Sequence, residues 1–190
     1  MAIQLSLLDR PDGRTSILTG SGFVIDLIRP DATGLPVEDV AYQLACQPRW
    51  AGATWHAGRR CFYSVAEHSV LVSRLVPAVH AWDGLWHDAI EAFTGDWPTP
   101  IKNVMGRELV HESLAPLERA LAKRFAFRRN LACVKKADLI AAATELRDLL
   151  PPRWIDFSHL PAPSPEPIVP LGPDLAYTAF MARYEELKRA

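Results

Sequence analysis

Apolar residues recur about every three to four positions along most of the chain, which is the spacing of α-helices that bury one face. Ser64 and Glu67 form a capping box at the start of one such stretch. Near the N-terminus, two β-rich runs, 16–18 and 23–27, flank Thr-Gly-Ser-Gly and predict a small hairpin. The helical spacing covers six stretches, residues 37–45, 64–75, 79–93, 104–125, 131–150 and 174–188. We therefore expect an all-α helical bundle with a small N-terminal β-hairpin.

Prolines divide the chain at two places. Pro98 and Pro100 cannot continue a helix, because each lacks a backbone donor and restricts the residue before it. We expect a stiff corner there, with Lys102 projecting from a held loop. Eight of the sixteen prolines lie in residues 151–173 and predict a non-helical strap. The expected organisation is a single domain of residues 1–190, with an N-terminal hairpin extension (1–30), the strap (151–173) and a C-terminal helix (174–189).

Composition narrows the classes of partner and compartment. The 190 residues are 49% hydrophobic and 23% charged, which is typical of one globular domain with a buried core. A net charge of -1 gives no overall attraction for nucleic acids or anionic membranes, so we expect neither as a partner. Three cysteines without a Cys-x-x-Cys spacing argue against a disulfide framework and a thiolate zinc site. Without a signal-like N-terminus or about 18 consecutive apolar residues, we expect a soluble cytoplasmic protein.

Four residues from three segments form a candidate metal site. His68, His87, Asp88 and Asp138 supply two imidazoles and two carboxylates, a donor set that suits divalent cations of borderline softness. His87 and Asp88 diverge by about 100° on a helix, so they can share an ion only where a helix edge faces a pocket between helices. The alternative is a helical scaffold in which these side chains are only packed and hydrogen bonded.

Three segments around these residues resemble the HD-domain metal-dependent phosphohydrolases. They are Phe62–Ser69, His87–Glu91 and Thr94–Lys102, with Asp138 as a weaker match, and the resemblance covers residues 37–150. Within that superfamily the chain is similar to the small bacterial deoxynucleoside 5'-monophosphatases and to related phage deoxynucleoside triphosphohydrolases. The resemblance implies one divalent transition metal ion, either Mn, Co, Zn or Fe, with Mg as a further candidate. Its implied ligands are His68, His87, Asp88 and Asp138.

The resemblance also implies catalytic roles for two acids. Glu91 lies one helical turn beyond His87 and would orient or deprotonate the attacking water. The alternative is that Glu91 is a solvent-exposed helix acid. Asp96 would contact the substrate or protonate the leaving group, or it would only cap the proline corner.

Three further residues are candidates for binding the substrate. Arg49 offers a planar fork to phosphate oxygens and Lys102 offers a point charge. Arg49 and Trp50 resemble an Arg-Trp pair of the monophosphatase branch that holds phosphate and crowds the sugar 2' position, although residues 51–61 form a longer connection than in that branch. The alternative is an arginine at a helix C-terminus with a tryptophan packed beneath it.

The sequence thus predicts a metal-dependent phosphohydrolase that acts on a small nucleotide, most simply as a 5'-nucleotidase on deoxynucleoside monophosphates. A deoxynucleoside triphosphate triphosphohydrolase would use the same ligands. A non-catalytic module that binds metal or nucleotide is the alternative of another class, while a zinc peptidase is disfavoured because His-Glu-x-x-His is absent from the sequence. The resemblance also leads us to expect a homo-oligomer, a dimer or higher.

Overall fold

The computed structural model describes residues 12–151 and 156–189. Within these residues the fold is mainly helical, with an antiparallel hairpin of β1 (Ser16–Leu18) and β2 (Val24–Asp26) near the N-terminus. The predicted helical class and the predicted small hairpin are therefore confirmed. The first eleven residues of the predicted N-terminal extension, and residues 152–155 of the predicted strap, lie outside the described residues.

The helices follow the apolar periodicity of the sequence. Between α1 and α2, a second antiparallel hairpin pairs β3 (Trp55–His56) with β4 (Arg59–Arg60). This hairpin takes up most of the long 51–61 connection. The helices are α1 (Val37–Cys46), α2 (Val65–Leu75), α3 (Ala81–Trp86), α4 (Glu91–Thr94), α5 (Thr99–Met105), α6 (Arg107–Phe125), α7 (Ala132–Leu149) and α8 (Pro173–Lys188).

Three helix predictions differ from the structure. The helix predicted over 104–125 begins only at Arg107, because Gly106 separates α5 from α6. The continuous helix predicted over 79–93 is interrupted by turns at 87–90, where Nδ1 of His87 bonds the Gly84 carbonyl, the acceptor that Asp88 would use in an unbroken helix. Lys102 lies in α5 rather than in a held loop, because Pro100 occupies the first helical turn, where no backbone donor is needed.

The core brings α1, α2, α3 and α8 together around a buried tryptophan. Trp86, at the end of α3, is fully buried and stacks on Phe125 of α6 with ring centroids 4.0 Å apart. Phe180 of α8 meets the same indole edge-on at 5.5 Å. Trp86 directly precedes His87 in the chain, so this packing also fixes the position of His87, a candidate site residue.

The close approach of α2 and α3 depends on a glycine. An ideal Cβ built on Gly84 would lie 3.0 Å from the Cα of Ser73 and 3.1 Å from Cγ2 of Val76. No other residue type fits this contact without a shift of the backbone. Across the described part of the chain, no helix combines the length and apolar character needed to cross a bilayer.

Candidate metal centre

His68 is delivered by the first turns of α2. The predicted capping box is present, since Glu67 N donates to Ser64 Oγ at 3.2 Å and Ser64 N donates to the Glu67 carboxylate at 2.9 Å. These bonds satisfy backbone donors that a helix N-terminus leaves free. The side chain of His68 is fully buried, and its Nε2 lies 3.3 Å from Asp138 of α7.

His87 is oriented by the backbone of α3. Its Nδ1 lies 2.8 Å from the Gly84 carbonyl oxygen, which can only accept a hydrogen bond. Nδ1 is therefore the protonated nitrogen, and Nε2 keeps the lone pair that a metal ion requires. The rings of His68 and His87 lie 5.2 Å apart, so their Nε2 atoms face a common space.

All four sequence-predicted ligands meet at this space. Ligand atoms of His68, His87 and Asp138 lie within 4.8 Å of one another. The Asp88 carboxylate lies 3.1 Å from Nε2 of His87 and 3.5 Å from Nε2 of His68, while Asp138 lies 3.3 Å from the latter. Both Nε2 atoms are buried and have no hydrogen-bond partner. Two bare imidazole nitrogens facing two carboxylates fit a divalent cation of borderline softness.

The electrostatics of the four groups agree with a cation site. Burial opposes charge on both carboxylates, yet the adjacent histidines hold the pKa of Asp88 and of Asp138 well below its usual range. Burial and Arg49 oppose a charge on His68, but Glu145 and Asp138 outweigh them and raise its pKa to about 10. The site thus stabilises positive charge at the position where the ligand atoms converge. A metal ion would take the place of that proton, since ligating imidazoles must be neutral.

Glu91 begins α4 and faces the same interior. Its side chain is only 7% exposed, and Oε2 is buried without a hydrogen-bond partner. Burial, together with the charges of Asp88 and Asp96, raises its pKa well above the usual range. Nζ of Lys102 lies 3.8 Å from Oε1. Glu91 is therefore not the solvent-exposed helix acid of the alternative interpretation.

Asp96 and Arg49 form a pair beside Glu91. Nη1 of Arg49 lies 3.5 Å from Oδ2 of Asp96, and both side chains are largely buried. Burial raises the pKa of Asp96, although Arg49 partly offsets this. The structure thus places Arg49 next to the acids of the site rather than only at a helix end. The bond is long, so Asp96 holds the guanidinium loosely.

Glu145 of α7 is a site residue that the sequence reasoning missed. Its fully buried carboxylate accepts hydrogen bonds from Nδ1 of His68 at 2.6 Å, Nε1 of Trp50 at 2.7 Å and Nη2 of Arg49 at 3.2 Å. Burial opposes its charge, but Arg49 and His68 outweigh burial and lower its pKa to about 2. The available signal was its spacing, because Glu145 follows Asp138 by seven residues and so lies on the same face of one helix.

A cleft of about 180 Å³ opens beside the candidate ligands. It is lined by His87, Asp88 and Asp138 on one side and by the segment 127–131, between α6 and α7, on the other. The cleft therefore adjoins three of the four candidate ligands.

Comparison with known proteins identifies relatives but no activity. The chain is 35% identical over 173 residues to the uncharacterized protein YfdR of Escherichia coli, and the match covers 89% of this chain and 92% of that protein. It is 33% identical over 193 residues to an uncharacterized protein of Rhodobacter capsulatus, covering 90% of this chain and 94% of the relative. No protein-family model matches the chain. Both relatives match over nearly their whole length.

Proposed function

The chain belongs to the same protein family as YfdR of Escherichia coli, and from its site we propose that it is a metal-dependent phosphohydrolase of the HD-domain type. The observation that carries this proposal is the pair of buried Nε2 atoms of His68 and His87, which lie 3.1–3.5 Å from two carboxylates without forming a well-aligned hydrogen bond to either. Buried polar atoms are rarely left without partners unless something else satisfies them. A non-catalytic module would not need the further acids that adjoin these ligands.

The ligands of the metal ion would be His68, His87, Asp88 and Asp138. A divalent cation at this position would supply Lewis-acid activation of water and of a phosphoryl oxygen. The protein supplies the rest of the chemistry through the acids and cations that adjoin the site.

Glu91 is the proposed general base. A buried carboxylate with a raised pKa is a stronger base than an exposed one, so it takes a proton more readily from an attacking water. That water adds to phosphorus as its proton moves to Glu91. Lys102, whose Nζ lies 3.8 Å from Oε1 of Glu91, favours the ionised carboxylate that the transfer requires.

Asp96 is the proposed general acid. Burial raises the pKa of Asp96, and as general acid its protonated side chain would donate to the ester oxygen as the phosphorus–oxygen bond breaks. Arg49 adjoins Asp96 and offers its guanidinium to the phosphate oxygens. The products would be a nucleoside and inorganic phosphate.

The substrate we propose is a deoxynucleoside 5'-monophosphate. A triphosphate needs unpaired cations beyond the reacting phosphate. Arg128, Arg129 and Lys135 line the cleft, but each already has a carboxylate partner within 2.8 Å. A single phosphate needs only Arg49, whose contacts with Glu145 at 3.2 Å and Asp96 at 3.5 Å are longer than these pairs, which supports the monophosphate over the triphosphate.

Product analysis tests this proposal. Chelator-stripped protein would be incubated with deoxynucleoside mono- and triphosphates, with Mn, Co, Zn and Mg added back separately. We expect nucleoside and inorganic phosphate from the monophosphates. Release of intact triphosphate from the triphosphates would refute the substrate assignment, and no product with any metal would leave only a binding module.

A ligand variant links the activity to the site. Asp88→Ala removes a carboxylate that touches both imidazoles, so it should abolish metal retention and turnover together. Asp148→Asn is the matched control, because Asp148 bonds Arg147 and the backbone of Ile168 and not a candidate ligand. We expect this variant to keep both the metal and the activity. Full activity in Asp88→Ala would show that the ligand assignment is wrong.

A further inference from the structure

One buried carboxylate connects the two halves of the candidate site. Glu145 accepts hydrogen bonds from His68, a candidate metal ligand, and from Arg49 and Trp50, the candidate substrate-binding pair. We infer that Glu145 is a positioning residue that presents Nε2 of His68 to the metal ion and holds the Arg49–Trp50 turn against the metal centre. The inference rests on the metal site of the proposed function, but not on the reaction assigned to that site.

The hydrogen-bond roles around Glu145 follow from its partners. The guanidinium of Arg49 and the indole N–H of Trp50 can only donate, so the carboxylate between them must accept. Oε1 of the same carboxylate lies 2.6 Å from Nδ1 of His68. The Nδ1 atom therefore donates, so when the ring is neutral, as a metal ligand must be, its lone pair lies at Nε2, which faces Asp88 and Asp138. A carboxylate behind a ligating imidazole fixes both the tautomer and the ring orientation.

The second role concerns backbone conformation. Trp50 and Ala51 adopt left-handed φ values of 55° and 51°, which residues other than glycine seldom adopt. Such a conformation persists only where surrounding contacts hold it. The bond of 2.7 Å from the Trp50 indole to Glu145 is a contact of this kind. Without it, the turn can relax and Arg49 can leave the site.

Burial argues that this carboxylate is more than a packing element. Glu145 is fully buried, and a charged group in such a place is costly unless every interaction is made. An apolar side chain would fill the same volume at less cost. Its three donors are a candidate metal ligand and the candidate substrate-binding pair, so the carboxylate orients groups that the proposed chemistry uses.

Metal titration of variants tests the inference. Binding of Mn²⁺ alone would be measured by calorimetry for the wild-type chain, Glu145→Gln and Asp148→Asn, with folding of each checked by circular dichroism. Asp148 is the matched control, a carboxylate one turn further along α7. We expect equal affinity for wild type and Asp148→Asn, and a loss of about 10- to 100-fold for Glu145→Gln. A role in stability alone would lower the melting temperature but leave the affinity of the folded chain unchanged, which would overturn the inference.

A measurement on the wild-type chain keeps the test independent of how the variant folds. Long-range proton–nitrogen NMR of the Zn²⁺-loaded protein distinguishes the two ring nitrogens of His68. We expect Nδ1 to carry the proton and Nε2 to bind the metal, while the reverse assignment would overturn the inference. A wild-type chain that binds neither Mn²⁺ nor Zn²⁺ would instead refute the metal centre of the proposed function, and a positioning role would fall with it.

Discussion

Replacing Gly84 with alanine tests the helix contact that supports both histidines. The added Cβ would lie 3.0 Å from Cα and 3.3 Å from N of Ser73, and 3.1 Å from a methyl group of Val76. The first two are backbone atoms, so no side-chain rotation relieves the contact. The α2 and α3 helices must then separate by a few tenths of an ångström.

The size of the effect follows from two opposing terms. Alanine gains about 1 kcal/mol over glycine in helix propensity. Overpacking a close contact costs about 1–3 kcal/mol, and backbone atoms put this contact at the upper end. The net result for Gly84→Ala is a loss of about 2 kcal/mol in the free energy of unfolding, or about 4–8 °C in melting temperature for a chain of this size.

Urea unfolding followed by circular dichroism measures this loss. Gly20→Ala is the control, because its Cβ would meet only a carboxylate oxygen of Asp39 at 3.9 Å, and we expect its stability to match wild type. Mn²⁺ affinity should also fall in Gly84→Ala, since the Gly84 carbonyl orients His87. If Gly84→Ala were as stable as wild type or gained stability from helix propensity, the packing of α2 on α3 described above would be refuted.

Three further substitutions separate the roles of the other residues. Glu91→Gln should keep its metal and lose about 10²- to 10⁴-fold in kcat, because the base is removed but no ligand; metal loss measured by atomic absorption would contradict this. Arg49→Lys keeps the charge but loses the fork, so we expect KM to rise about 10-fold or more with a smaller change in kcat. Asp83→Asn removes the negative charge and turns one of the two oxygens that accept from Arg128 into an amide N–H donor, so it should cost about 2–3 kcal/mol at pH 7. Although burial opposes it, Arg128 lowers the pKa of Asp83, so this stabilisation exists above the usual carboxyl pKa and disappears as the pH falls through the lowered value. Urea unfolding should therefore show a larger gap between wild type and Asp83→Asn at pH 7 than at pH 3.

The sequence predicted those features that depend on local spacing. The capping box of Ser64 and Glu67 occurs where it was predicted, because both partners lie within one helical turn. The hairpin of β1 and β2 was equally local. The break at 87–90 was not predictable, since the apolar spacing continues through it and the interruption comes from a side-chain bond of His87. The break at Gly106 also falls within a stretch of helical periodicity. There the left-handed φ of 89° at the glycine separates α5 from α6.

The site shows the same division between local pattern and tertiary contact. The four candidate ligands could be named from donor chemistry and motif, whereas Glu145 could not, because its partners lie 77 to 96 residues away in the chain. Spacing from Asp138 placed Glu145 on the right face of α7, but many helix acids share such a spacing without a role. Only the burial of its carboxylate against three donors distinguishes it.

The charge balance of the site gives a reason for the convergence of these acids. Among the residues that the structure describes, three cations are paired with carboxylates of the site: Arg49, Lys102 and Lys135. The carboxylates number five: Asp88, Glu91, Asp96, Asp138 and Glu145. With neutral histidines, five acids against three cations leave an excess of two negative charges in a largely buried space. Such an excess is costly unless protons or a cation offset it. The raised pKa of Glu91 reflects this repulsion in addition to its burial, and a divalent cation between the imidazoles would remove the excess.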